Sequence, residues 1–465
     1  MNNRSYRFTS TENTSFIPEY SGINGAIATH SNLSAQTAFM ILSEDKGNAF
    51  DAAAGATLVE SLVNPQMFGF GGECIMILKP KTSKVSVLNG NTRSPNDFNF
   101  LNLLTQGYTE VPDMGIHSSG VPSVFSAIIN LLMNHGKLSF KEISKYALHY
   151  AKEGFPIHKG LLGQESTGLK DIYNRMKTNF KNTSNLYLVN GKLPNLNSLQ
   201  KNKKFANFLD YINNFENSLK GNRINRFKKL HDCFYKGDIA NTIVNYSQKL
   251  NGFLQKKDFE NFQTYFEKPI SKTFGDYTIY KTDTWGQGVT SLMMMYMADK
   301  KKIKSLSDEK SIHNFIEILK LVFADREMFF SANPNNKVKA KDLINEDYLL
   351  KRVKLVKNLS SRSLIPGDPI NKKSILEYND VAKPWGEGTV HIDIIDKEGN
   401  AISCTPSGGW LKSNDVVEEL GFPLNNRLMT FYMSKPGHIN FVMPNTQPRT
   451  TLSPTLCINK KNKEI

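Results

Sequence analysis

"PWGEGTVHIDIIDKEGNAISCTPSGG", residues 384–409, is the stretch whose reading decides the fold. Val390, Ile392 and Ile394 alternate with Thr389, His391 and Asp393, the period of two that gives a strand one apolar and one polar face. Asp396-Lys397-Glu398-Gly399-Asn400 reads as a turn, and Ala401 to Cys404 as the strand that returns beside the first. Thr389 and His391 therefore share a face at the mouth of a hairpin, directly behind Gly388. On the residues alone, the plainer reading prevails: both merely decorate the polar side of a sheet.

Working outward, Gly25 to Ala28 is a short apolar strand followed by two helical patterns that divide at Lys46-Gly47-Asn48. Gly47 is the expected left-handed C-cap of the first helix and Asn48 the start of the second. The second is rich in alanine, a small-faced helix suited to lying close against a sheet. Gly69-Phe70-Gly71-Gly72 lacks the GK[ST] ending of a phosphate loop and opens a strand, so it predicts close approach of backbone to backbone. Cys74 to Leu78 and Val85 to Leu88 read as a further hairpin. A helix ending at Gly136 precedes one with Leu138 and Ile143 inward, stopped by Gly154 and Pro156. Met293, Met294, Met295 and Met297 read as core filler in a later helix.

At 465 residues the chain suits one large domain or two, and 39% hydrophobic with 11% aromatic residues is enough for a sizeable core. The formal charge of +15 invites a nucleic-acid reading. Its densest region, Leu199 to Leu230, interleaves Asp210 and Glu216 and reads instead as a solvated, Lys-rich surface insertion, so no nucleic-acid partner is expected. Four cysteines without a CxxC pair and nine histidines without HExxH spacing indicate no disulfide framework and no metal or other cofactor. The first twenty residues lack the apolar stretch of a signal peptide, and no window approaches 18 uncharged apolar residues, which makes a cytoplasmic protein without a membrane span the simplest reading.

Several stretches, in order, carry a resemblance: "GNAFDAAAGATLVESLVNP", "GGECIMIL", "SSGVPSV", "HGKLSF", "AKEGFPI", "FYKGDIA", "LKLVFADR", "GTVHIDIIDKEGNAIS", "LGFPLNN" and "PRTTLSPTL". Together they resemble the gamma-glutamyltransferase family of N-terminal nucleophile hydrolases, from about residue 22 to the end. The resemblance implies a four-layer αββα sandwich and a precursor that cuts itself at the Gly388–Thr389 bond. Residues 1–388 would form a large piece and 389–465 the first part of a small one, the two staying associated, with a homodimer admitted. The cut has a chemical reason: an internal threonine lacks a base, whereas an N-terminal one carries its own in the freed α-amino group. The implied activity is hydrolysis or acyl transfer on a γ-glutamyl or other small acyl amide. Ser407 takes the place of the hydroxyl residue that orients the nucleophile, and Thr450 and Thr451 that of a serine pair lining the substrate pocket. A turn role for Ser407 and a strand-edge role for the threonine pair remain open.

Departures from the family pattern bear on the substrate. The arginine that grips the glutamyl α-carboxylate falls at Asn91, with Arg93 displaced by two; the asparagine two residues past Ser407 is Gly409; the glutamine and aspartate after "LNN" are Arg427 and Thr430. Losing charge partners at both ends of the glutamyl group removes charge-assisted hydrogen bonds of roughly 1.5–3 kcal/mol each, about a hundredfold or more in affinity, which disfavours glutathione. Arg427 would suit an acyl group with its own carboxylate, or stand on the rim as a surface charge. Family chains also continue past "SPTL" with a strand and a glycine pair forming the oxyanion hole, whereas this sequence stops at "LCINKKNKEI"; the expectation is an incomplete sandwich. A catalytically inactive relative serving as a binding or structural protein is the alternative.

Overall fold

The structure, a computed structural model, describes residues 22–163, 167–375 and 388–465. The first twenty residues, read above as lacking a signal peptide, lie outside the described residues. At the centre is a six-stranded sheet in the order Gly25–Thr29, Ile392–Asp396, Ala401–Ser407, Glu73–Lys79, Ser86–Asn89, Tyr265–Glu267, every neighbouring pair antiparallel. The two hairpins read from the sequence are adjacent in it, so the strand Ala401–Ser407 lies at the centre with all seven residues buried.

Period two then sorts side chains into layers. Met76, Leu78, Leu88, Ile392, Ile394, Ile402 and Cys404 face one way, into the core shared with the helix Ala49–Val63. Ile75, Ile77, Val87 and Ala401 face the other way and meet Trp285, Leu452, Leu456 and Tyr280. Leu456 and Tyr280 belong to a second sheet, Leu456–Asn459, Tyr277–Lys281, Ile270–Phe274. Ile270 and Phe274 pack on the cluster of Val289, Met293, Ile318 and Val322 from the helices Gly288–Lys300 and Glu309–Phe329. Helices, sheet, sheet, helices: the chain is an αββα sandwich. No helix among the described residues is long and apolar enough to cross a membrane.

The helix Ala49–Val63 is buried at every residue, and its small side chains let it lie on the strands Ile392–Asp396 and Ala401–Ser407. Asn48 and Asp51 form a capping box at its start, and Asp51 also accepts from the backbone N–H groups of Lys137 and Leu138. Burial raises the Asp51 pKa against these hydrogen bonds. Asp396 closes the hairpin turn through Asn400 N and accepts from Ala49 N at 3.0 Å, so one carboxylate joins the turn to the helix N-terminus.

Three expectations change. The left-handed residue before this helix is Lys46 (φ 57), not Gly47. Gly47 is needed for space instead, since a Cβ there would lie 2.7 Å from Ile41 Cγ2. The Lys-rich region is not a mere surface insertion: in the helices Lys203–Ser218 and Arg223–Tyr235, Phe205, Phe208, Leu209, Ile212, Phe227 and Leu230 enter the main core while the lysines face solvent. The same 3.6-residue period that spreads the charge also makes an apolar stripe. Of the four methionines, Met293 and Met297 are buried and Met294 partly so, but Met295 is exposed.

Candidate active site

Thr389 lies three residues before the paired strand, which begins at Ile392 rather than at Thr389 itself. Continuing the register in which Cys404 opposes Ile392 sets Pro406 opposite Val390, and proline has no N–H to extend the ladder there. The ladder is replaced by a side chain: Thr389 Oγ1 donates to Pro406 O at 2.6 Å. Burial still alternates, with Val390, Ile392 and Ile394 buried, Thr389 half-buried and His391 exposed. Thr389 thus shares the parity of Ile395, which packs between the two sheets. On the same face His391 meets Asp393 Oδ1 at 3.0 Å, Ser403 Oγ at 3.2 Å and Thr405 Oγ1 at 3.0 Å.

Ser407 is the buried last residue of the central strand, directly opposite Glu73, rather than part of a turn. Beyond it, Gly408 (φ 74) and Gly409 (φ 62) both take the left-handed conformation. They lie against the Gly69–Gly72 cluster, whose glycines prove to be contact points: a Cβ on Gly69 would sit 2.0 Å from Gly409 O, and one on Gly72 2.3 Å from Ser407 O. Gly388 borders Met67, whose sulfur would be 2.6 Å from a Cβ at that position, and Trp410 Nε1 donates to Met67 O at 2.7 Å.

The stem of Arg427 crosses Gly408, and its guanidinium lies 5.6 Å from the Trp410 ring centroid. Arg427 is only 4% exposed, which removes the surface-charge reading. Its Nε donates to Glu73 Oε1 at 2.7 Å and its Nη2 to Thr450 Oγ1 at 2.9 Å; Thr450 Oγ1 in turn donates to the same Glu73 oxygen at 2.8 Å. Glu73 is wholly buried. Asn425 of the "LNN" stretch fixes this loop, accepting from Gly120 N and Arg427 N and donating to Gly71 O and Gly120 O, while Ser119 of "SSGVPSV" donates to Asn425 O.

The structure therefore brings Gly388, Thr389, Ser407, Gly409, Arg427 and Thr450 into one region. It separates the threonine pair, since Thr451 is exposed while Thr450 is buried. Arg93 stays outside the Glu73 network, half-buried with Nη1 3.4 Å from Asn445 Oδ1. Asn91 is fully buried, with its amide donating to Pro448 O at 2.6 Å. Sequence reasoning misses Glu73 and Trp410. A lone carboxylate opening an otherwise apolar strand is the available signal for Glu73.

The sequence model described as gamma-glutamyltranspeptidase matches residues 34–465. The glutathione hydrolase proenzyme of Bacillus subtilis (strain 168) is 26% identical over 454 residues, covering 94% of this chain and 73% of that protein. The solved structure of LmbA2991HD superposes with a TM-score of 0.86 at 27% identity, over 96% of this chain and 78% of that one. The cephalosporin acylase of Bacillus halodurans superposes at 0.80 with 23% identity, over 98% and 80%, which speaks for the fold alone.

Proposed function

The chain belongs to the gamma-glutamyltranspeptidase family, and from that premise we propose that it is a self-processing amide hydrolase or acyl transferase whose nucleophile is Thr389. The family supports action on a γ-glutamyl or other small acyl amide. The observation that carries the finer reading is the half-buried Thr389 hydroxyl, directly after Gly388, held at 2.6 Å by Pro406 O at the mouth of the central hairpin.

In the processing step Thr389 Oγ1 gives up its proton and attacks the Gly388 carbonyl carbon. The C–O bond forms, the C–N bond to Thr389 breaks, and the nitrogen takes the proton. Water then hydrolyses the ester, leaving a Gly388 carboxylate and a free Thr389 amine. With an ordinary pKa near 7.7–8.0, that amine is partly neutral at pH 7 and can accept the hydroxyl proton. Thr389 Oγ1 next attacks the substrate carbonyl, the amine passes the proton to the leaving nitrogen, and water or an acceptor amine releases the acyl group. Ser407 orients the nucleophile in this reading. Residues 1–388 and 389–465 remain together because the strands on either side of the cut share one sheet.

Arg427, Thr450 and Gly409 form the acyl wall. Arg427 is already paired with Glu73, so the wall is charge-balanced and disfavours the zwitterionic glutamyl group relative to a simpler acyl. Incubating the purified protein with γ-glutamyl-p-nitroanilide, succinyl-p-nitroanilide and acetyl-p-nitroanilide tests this. Release of p-nitroaniline that disappears in Thr389→Ala is expected; release that survives the substitution defeats the assignment.

A further inference from the structure

We propose that Glu327 is a positioning residue for the acyl pocket, fixing both arms of the Arg427–Glu73–Thr450 network through Arg449 and Tyr432. The inference rests on the reading of that network as the acyl wall of the Thr389 site. Glu327 follows the "LKLVFADR" stretch near the end of the helix Glu309–Phe329, in the outer layer beyond the second sheet. It is buried, yet its carboxylate serves residues from two distant segments. Arg449 Nη2 donates to Oε2 at 2.6 Å and the Tyr432 hydroxyl to the same oxygen at 2.5 Å, while Arg326 Nη1 donates to Oε1 at 2.6 Å.

Each of the two reaches one arm of the network. Arg449 immediately precedes Thr450, whose hydroxyl joins Glu73, and whose own N–H is held by Trp285 O at 2.7 Å. The Arg449 guanidinium also stacks 5.3 Å from the Tyr432 ring centroid. Tyr432 lies two residues beyond the turn Arg427–Thr430, which the Phe431 N–H caps by donating to Leu428 O and in which the Thr430 hydroxyl donates to Arg427 O at 2.9 Å. Asn440 links the two segments again, donating to Thr430 O at 2.7 Å and accepting from Arg449 N at 3.4 Å. Burial alone would raise the Glu327 pKa, but Arg449 and Arg326 outweigh it and hold the carboxyl below its ordinary range. A buried, ionised carboxylate holding two segments is a fixed point from which the spacing of Arg427 and Thr450 is set.

The test compares Glu327→Gln, Glu327→Asp and the unaltered full chain by two readouts. Hydrogen exchange followed by mass spectrometry reads the backbone at residues 427–433, 447–452 and 392–404. In Glu327→Gln, exchange about tenfold faster in the first two segments with the third unchanged is expected, Glu327→Asp falling between. With γ-glutamyl-p-nitroanilide or succinyl-p-nitroanilide, KM rises about tenfold while kcat moves less than about threefold. Uniform acceleration across all three segments, which a merely structural carboxylate would give, overturns the proposal, as does unchanged exchange. Should the unaltered chain turn over neither amide, the reading of the site fails, and exchange still decides the role of Glu327.

Discussion

Replacing Arg427 with methionine keeps the length of the stem across Gly408 and removes the charge. Glu73 would then be a fully buried carboxylate left with the Thr450 hydroxyl at 2.8 Å and the Thr92 N–H at 3.4 Å. Stranding one partner of a buried ion pair costs about 3–5 kcal/mol, and the lost contact with Trp410 adds about 0.5–1 kcal/mol. Removing the charge at both ends should relieve most of this: in Glu73→Gln with Arg427→Met, the new side-chain amide keeps a carbonyl for Thr450, and the loss shrinks to about 1.5 kcal/mol. The double variant should thus be about 2–4.5 kcal/mol more stable than Arg427→Met alone. Urea denaturation followed by tryptophan fluorescence measures both single variants and the double variant against the parent. A double variant no more stable than Arg427→Met refutes the claim that the cost is an uncompensated Glu73, and a loss below about 1 kcal/mol in Arg427→Met refutes the claim that the pair is desolvated.

Two further outcomes follow from the geometry. Gly409→Ala forces a left-handed alanine and a Cβ 2.7 Å from Gly72 N, and should cost at least about 2 kcal/mol in the same denaturation assay; a neutral effect would show that the Gly408–Gly409 corner is not tightly set. Burial pushes the Glu267 carboxyl up to about 7 from 4.5, against the Trp285 indole N–H that donates to it. The folded state keeps this proton where the unfolded state releases it, so stability falls as pH rises from 4.5 to about 7 and stays lower above, by about 2 kcal/mol after allowance for partial exposure. Glu267→Gln should flatten that decline and exceed the parent in stability above pH 7; a profile parallel to the parent contradicts the shift.

Local rules made the central hairpin, the Asn48 helix start and the glycine cluster legible, because each depends on neighbours a few residues away. Period two from Thr389 to Ile394 is a statement about one strand, and it survives in the burial of every residue there. What the sequence hid is non-local. Glu73 and Arg427 are 354 residues apart, and nothing in either neighbourhood announces that they meet. Thr450 and Thr451 look alike in the chain, yet alternation along an extended segment sends one inward and one to solvent. The Lys-rich helices show the same limit from the other side: net charge per segment conceals which face of a helix is apolar.

The central claim is that the Thr389 hydroxyl becomes a nucleophile because the bond behind it is cut. Intact mass measurement of the purified protein, parent beside Thr389→Ala, tests it most directly. The account predicts that the parent resolves into two polypeptides, the smaller beginning at Thr389, while Thr389→Ala stays whole. A parent that remains one chain after prolonged incubation, or a Thr389→Ala variant that divides at the same place, contradicts it.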